Sequence, residues 1–144
     1  CSLDFQGHQQ IKEKGVVKLF RSHRDDYEDG EQLRDFVYVR DVAKAMVELK
    51  KLSKTPSEVK VSNGVVNIGT GQARSFKNLI EETFIANSVK ANIEYIDMPE
   101  SIRNQYQYYT CANMEKFKNL LPDFRFSTIE EGVRDYVSNS LAHL

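Results

Sequence analysis

Runs favourable to β-structure are short and far apart in this chain, and that scarcity limits what it can fold into. Over 144 residues they fall at residues 16–20, 33–39, 65–68 and 93–96, each rich in the β-branched and aromatic side chains that suit a pleated surface. Helical periodicity fills much of the space between them. Residues 3–14 carry Phe5, His8 and Ile11 at three-residue spacing with Gly15 as a stop. Asp41 is placed to cap a helix whose apolar face is Val42, Ala43, Met46, Val47 and Leu49. Ser75 is placed to cap another running to Ala86, with Phe76, Leu79, Ile80 and Phe84 inward. A short helix is expected over residues 113–121, ended by Pro122. A capping box at residues 127–130 opens a last helix with Ile129, Val133, Tyr136, Val137 and Leu141 as its buried stripe. Strands alternating with helices define an α/β chain. Strands this sparse make a poor sheet by themselves, since a parallel strand needs partners. The expectation is that they complete a sheet begun upstream, in a segment outside this chain.

The length suits one domain, taken as residues 1–144. Net charge is -1 with a pI near 6.4, so no overall field points to a nucleic-acid or membrane partner. The two cysteines, Cys1 and Cys111, are far apart and form no C-x-x-C pair. That spacing argues against a disulfide scaffold or a zinc site and suits a reducing, cytoplasmic setting. No metal ligand set is expected. No apolar run approaches the roughly 20 residues of a membrane span. The N-terminus lacks the pattern of a signal peptide and does not begin with methionine, so the chain is expected to start within a longer polypeptide. Residues 50–63 form a polar linker, and residues 99–110 are expected to be irregular.

Chemistry concentrates in two places. Residues 21–32 form a loop dense in both signs of charge, including Arg21, Arg24, Asp25, Asp26, Glu28 and Asp29. Arg34 then enters a strand. Its planar guanidinium matches phosphate oxygens two at a time, which lysine does not. Two alternatives stay open: Arg34 pairs with a surface acid such as Asp35 or Glu31, and the loop is a solvated excursion held by its own ion pairs. Tyr106, in Tyr106-Gln107-Tyr108-Tyr109, is open to a ligand role or to packing at a core or edge. The turn Gly69-Thr70-Gly71 suggests a dinucleotide fingerprint, but the third glycine position is Arg74. It reads as a tight turn. His8 and His143 have no partners that would make them ligands, and both are expected on a surface or helix face.

The run Arg34-Asp35-Phe36-Val37-Tyr38-Val39-Arg40-Asp41-Val42-Ala43 resembles a motif of the extended short-chain dehydrogenase/epimerase family. Gly64-Val65-Val66-Asn67-Ile68-Gly69-Thr70-Gly71 resembles the segment that follows it there, with Val66 where an aromatic is usual. Further pieces resemble the branch of the family acting on ADP-linked heptose: Lys18-Leu19-Phe20, Ser75-Phe76, Ile93-Glu94-Tyr95-Ile96, Tyr106-Gln107 with Thr110, and Glu131-Gly132-Val133. The resemblance implies the substrate-binding C-terminal portion of a Rossmann-type enzyme. Its ligand is a nucleotide sugar, which Phe20, Arg21, Ser22 and His23 wrap, Arg34 holds by the pyrophosphate, and Tyr106 meets from the opposite wall. Where the family places a histidine on the first helix, this chain has Gln6. The loop after Phe20 is longer than in the common form.

The family's catalysis uses a glycine-rich loop for NADP and a Tyr-x-x-x-Lys pair. No Tyr-x-x-x-Lys occurs in this sequence. The resemblance therefore assigns NADP to a part of the intact enzyme outside this chain, leaves the chain without catalytic residues, and implies a homo-oligomer for the whole. Two other readings stand beside it: a different nucleotide-sugar epimerase or dehydratase, and a non-catalytic nucleotide-sugar-binding module.

Overall fold

The computed structural model of the protein describes residues 3–52 and 64–141. Helix α1 (Leu3–Lys14) leads directly into strand β1 (Val17–Phe20), with the Gly15 N–H donating back to Ile11 O at 2.9 Å. In β1 the side chains alternate as a half-buried strand should: Val17 and Leu19 face inward, while Lys18 reaches Glu94 at 3.4 Å on the exposed side. The partner is β4 (Ile93–Ile96), parallel to β1 with Val17 opposite Ile93 and Phe20 opposite Ile96. Helix α3 (Phe76–Ala86) covers this pair. It places Ile80 and Phe84, both fully buried, against Ile11, Val17 and Leu19. Its start is fixed by Ser75, whose Oγ accepts the Asn78 N–H at 3.1 Å, a cap that contributes about 1 kcal/mol.

The second pairing is smaller. Strands β2 (Leu33–Arg34) and β3 (Arg74–Ser75) run antiparallel, with Leu33 opposite Ser75 and Arg34 opposite Arg74. The strand expected over residues 33–39 is thus confined to its first two positions. Beyond them the Asp35 carboxylate gathers backbone donors from other segments, and helix α2 (Val39–Leu52) begins. Asp41 lies inside that helix instead of capping it. Its own N–H already donates to Tyr38 O, and its buried carboxylate accepts the Ser127 N–H at 2.6 Å.

Residues 65–68, also expected as a strand, form none. Val66 and Ile68 turn toward a core of Ala45, Met114 and Phe117, while Val65 is 88% exposed. The alternation of a strand is present without a partner backbone: the tethers here are side-chain bonds, Lys116 Nζ to Val65 O and Asn67 Nδ2 to Asn113 O. A strand is defined by its ladder, and one strand alone has none.

Two short helices follow, α4 (Glu100–Arg103), inside the stretch expected to be irregular, and α5 (Glu115–Leu120). Helix α6 (Ile129–Asp135) continues as a π-helical turn through Leu141. Its capping box is Thr128 with Glu131, one residue later than expected. Ile129, Val133 and Val137 close a core with Leu79 of α3. His8 lies on a face of α1, one of the two positions expected for it, but that face is buried and not at the surface. Burial, then the charge of Lys12, lowers its pKa, partly opposed by Asn87. The expected linker enters α2 as far as Leu52, and its remainder lies outside the described residues, as do Cys1 and His143.

Candidate functional site

Arg34 is held by its surroundings from three sides. Its guanidinium lies 5.6 Å from the ring centre of Phe76 and 5.4 Å from that of Tyr106. Nη1 donates to Leu33 O at 2.9 Å and Nη2 donates to Gln107 O. The acids that might have neutralised it are engaged elsewhere. Glu31 pairs with Lys77 at 3.5 Å, and Asp35 is filled by other donors. Among the described residues no carboxylate lies within ion-pairing distance of Arg34, which removes the surface-pair alternative. A guanidinium stacked on aromatic faces, oriented by carbonyls and lacking a counter-ion, is suited to bind an anion.

The two rings beneath Arg34 belong to the wall of a cleft of about 430 Å³. Its lining includes Gln6 and Gln10 of α1, Phe20 at the end of β1, Gln32, Phe76 and Tyr106. Phe20 and Tyr106 meet edge to face with ring centres 6.4 Å apart. Burial raises the Tyr106 pKa, partly opposed by Arg34, so its hydroxyl stays protonated at neutral pH. Gln32 is almost wholly buried and donates Nε2–H to Phe20 O at 3.3 Å. Gln10 accepts the Lys18 N–H at 3.0 Å.

Phe20, Arg34 and Tyr106 are therefore brought together. The other three sequence candidates take a different position, in the loop after β1, where their polar groups serve the loop's own frame. Ser22 donates its N–H to Asp29 Oδ1 at 2.8 Å, and its Oγ to Arg24 O at 2.9 Å. The His23 N–H donates to Tyr108 Oη at 2.9 Å, and His23 Nε2 accepts the Met98 N–H at 3.3 Å. Arg21 stands 3.9 Å from both Asp29 and Asp97. Arg24 makes two bonds to Asp26, at 2.8 and 2.6 Å, and stacks over Tyr27 and Tyr108. The loop's internal ion pairs are real, and of Arg21, Arg24 and Arg34 it is Arg34 that has no carboxylate partner among the described residues. Gln32 and Phe76 were not singled out as site residues. Gln32 carries no sequence signal, because a glutamine beside an apolar strand is usually solvated. Phe76 was legible only as a core position.

Behind Arg34, Asp35 acts as a junction. Oδ1 accepts the Thr70 N–H at 2.8 Å and the Thr70 hydroxyl at 2.5 Å, while Oδ2 accepts the Gly71 N–H at 2.9 Å and the Ala112 N–H at 3.0 Å. Burial alone would raise its pKa, but the hydrogen bonds from Thr70, Ala112 and Gly71 outweigh that and hold the carboxyl below the usual range. Glycine is required at position 69, since a Cβ there would lie 2.7 Å from Asp35 Oδ2 and 2.8 Å from Ala112 Cβ. Gly71 adopts φ +72°, the left-handed region. A dinucleotide cradle presents free amides to phosphate. Here the amides of Thr70 and Gly71 are spent on Asp35, so this turn does not fit a cofactor pyrophosphate.

Residues 6–69 match the model of the NAD dependent epimerase/dehydratase family. The ADP-L-glycero-D-manno-heptose-6-epimerase of Fusobacterium nucleatum is 42% identical over 148 residues, covering 99% of this chain and 42% of that protein. The likeness to that enzyme runs over nearly the whole of this chain. The enzyme of the same name from Nitratidesulfovibrio vulgaris (strain DP4) is 42% identical over 137 residues, covering 95% of this chain and 40% of that protein. The crystal structure of the Helicobacter pylori ADP-L-glycero-D-manno-heptose-6-epimerase superposes with a TM-score of 0.71 at 27% identity, over 99% of this chain and 38% of that one. The chain thus spans about two-fifths of the length of the epimerases it matches. Its scattered strands are those of an α/β epimerase fold covered in part.

Proposed function

We propose that this chain is the nucleotide-sugar-recognising portion of an isomerase that converts ADP-D-glycero-D-manno-heptose to its L-glycero form, in the synthesis of the lipopolysaccharide core. The observation that carries the reading is Arg34, a cation without a carboxylate partner among the described residues, stacked on the ring wall of a cleft of about 430 Å³. In this reading Arg34 holds the diphosphate and Tyr106, stacked against the same guanidinium and not on the opposite wall expected for it, donates its hydroxyl beside it. Phe20 and Phe76 supply the apolar surface that desolvates the pair. Arg21, Ser22 and His23 shape the loop over the nucleotide.

Hydride chemistry requires a dinucleotide, taken to be NADP, and a proton-transferring tyrosine, and both are assigned to polypeptide beyond this chain. Support for such a segment lies on α2, where Val39, Met46 and Val47 are between 53% and 65% exposed. Apolar side chains clustered on a surface mark a face that another element covers. The intact enzyme is proposed as a cytoplasmic homo-oligomer, and the chain by itself as inactive.

The test is a calorimetric titration of ADP-, UDP- and dTDP-sugars into the intact polypeptide. Preference for the ADP-linked ligand is expected, and a preference for UDP or dTDP would defeat the heptose assignment. Arg34→Ala is expected to cost about 2–4 kcal/mol of binding, the scale for a desolvated charge pair losing one member. An unchanged dissociation constant at moderate salt would discard the clamp.

A further inference from the structure

Arg34 does not set its own position. The backbone on either side of it is zipped to the segment that carries Tyr106. The Leu33 N–H donates to Tyr108 O at 2.8 Å, the Thr110 N–H donates to Leu33 O at 3.1 Å, and the next rung is the side chain of Asp35, accepting the Ala112 N–H. The same carboxylate reaches in the other direction to the Thr70–Gly71 turn, which leads into β3 and so to Phe76. One side chain therefore ties together the three segments bearing Arg34, Tyr106 and Phe76.

The chemistry of the junction is specific to a carboxylate. Each oxygen accepts two donors, and no cation within ion-pairing distance balances the charge among the described residues. An ionised carboxyl is acceptor-only and offers about four lone-pair sites, a match for the four donors present. An amide at this position would turn an NH₂ group toward two N–H donors and strand one pair of them.

We propose that Asp35 is the positioning residue of the anion clamp: it fixes Arg34 against Tyr106 and Phe76 and thereby sets the affinity for a nucleoside diphosphate without touching it. This rests on the reading of Arg34 as a diphosphate clamp. A residue that acts only through Arg34 has nothing left to contribute once Arg34 is gone, whereas a residue that merely stabilises the fold weakens binding in either background.

The experiment is a double-mutant cycle in the intact polypeptide, with ADP as the probe. Asp35→Asn is expected to weaken ADP roughly tenfold, and the Arg34→Ala/Asp35→Asn double variant to bind like Arg34→Ala alone. In turnover of the nucleotide sugar, KM should rise by the same factor while kcat stays within about twofold, the mark of lost uniform binding. Native ADP affinity in Asp35→Asn, or an equal further loss on the Arg34→Ala background, overturns the proposal. Where Asp35→Asn does not fold, Thr70→Val carries the test. It removes one hydroxyl donor, with about a threefold loss expected in the native background and none beside Arg34→Ala; undiminished binding overturns the proposal. If Arg34→Ala itself binds ADP as tightly as the native protein, the clamp falls and this proposal with it. If Arg34→Ala fails to bind and Asp35→Asn binds normally, only the role of Asp35 is lost.

Discussion

The two sides of this molecule treat their apolar residues differently. Around β1 and β4, the core side chains find cover: Phe84 and Ile80 are fully buried, and α1 and α3 close over the strands, with Ile85 of α3 left outside. Around α2, one face packs Ala45 and Leu49 against Met114 and Phe117, while the other leaves Val39, Met46 and Val47 exposed. The difference is whether a covering element is found among the described residues. Where it does, strands form and pair. Where it does not, residues 65–68 keep a strand's alternation and lack its ladder.

Breaking the first side should cost most. Phe84→Ala is expected to lower unfolding free energy by about 3–5 kcal/mol, read from chemical denaturation, since it empties a closed core. A loss under about 1 kcal/mol would mean that this core collapses freely on itself. The His8 site on the same side should give a smaller, pH-dependent effect. Its pKa is lowered in the fold, so below the ordinary value of 6.5 the unfolded chain binds a proton that the folded chain resists. The melting temperature of the native chain should therefore drop as pH falls through that value, and His8→Leu should flatten the slope. An unaltered slope would assign the effect to another group. On the second side, Met46→Ser should change the stability of this chain by less than about 0.5 kcal/mol, as for other exposed positions. The same change in the intact polypeptide should cost more, and equal costs in both would remove the reading of that face as one awaiting cover.

Local signals were legible and fared according to their range. The helix at residues 3–14, the Ser75 cap and the helix to Ala86 depend on neighbours within one or two turns, and they form as read; the strand at residues 93–96 also forms, on the distant ladder of β1. Two readings moved locally, the capping box by one residue and the appearance of α4, while the larger shifts involve distant partners. The strand at residues 33–39 stops at Arg34, with Asp35 spent on Thr70, Gly71 and Ala112. Asp41 exchanges a cap for the amide of Ser127, 86 positions away. The convergence of Phe20, Arg34 and Tyr106 was reachable from motif resemblance, whereas Gln32 and Phe76 in the same wall were not.

By itself, then, the sequence determined the class of fold, most of the helices, the family it resembles and the arginine proposed as an anion clamp. Those follow from side-chain period, capping chemistry and residue type, all of which act over short separations in the chain. Tertiary structure alone decided that four donors converge on Asp35, that His8 is buried, and that, among the described residues, Arg34 has no carboxylate partner and one face of α2 remains uncovered. Each of these depends on which groups meet across 30 or more positions, and such meetings are set by packing.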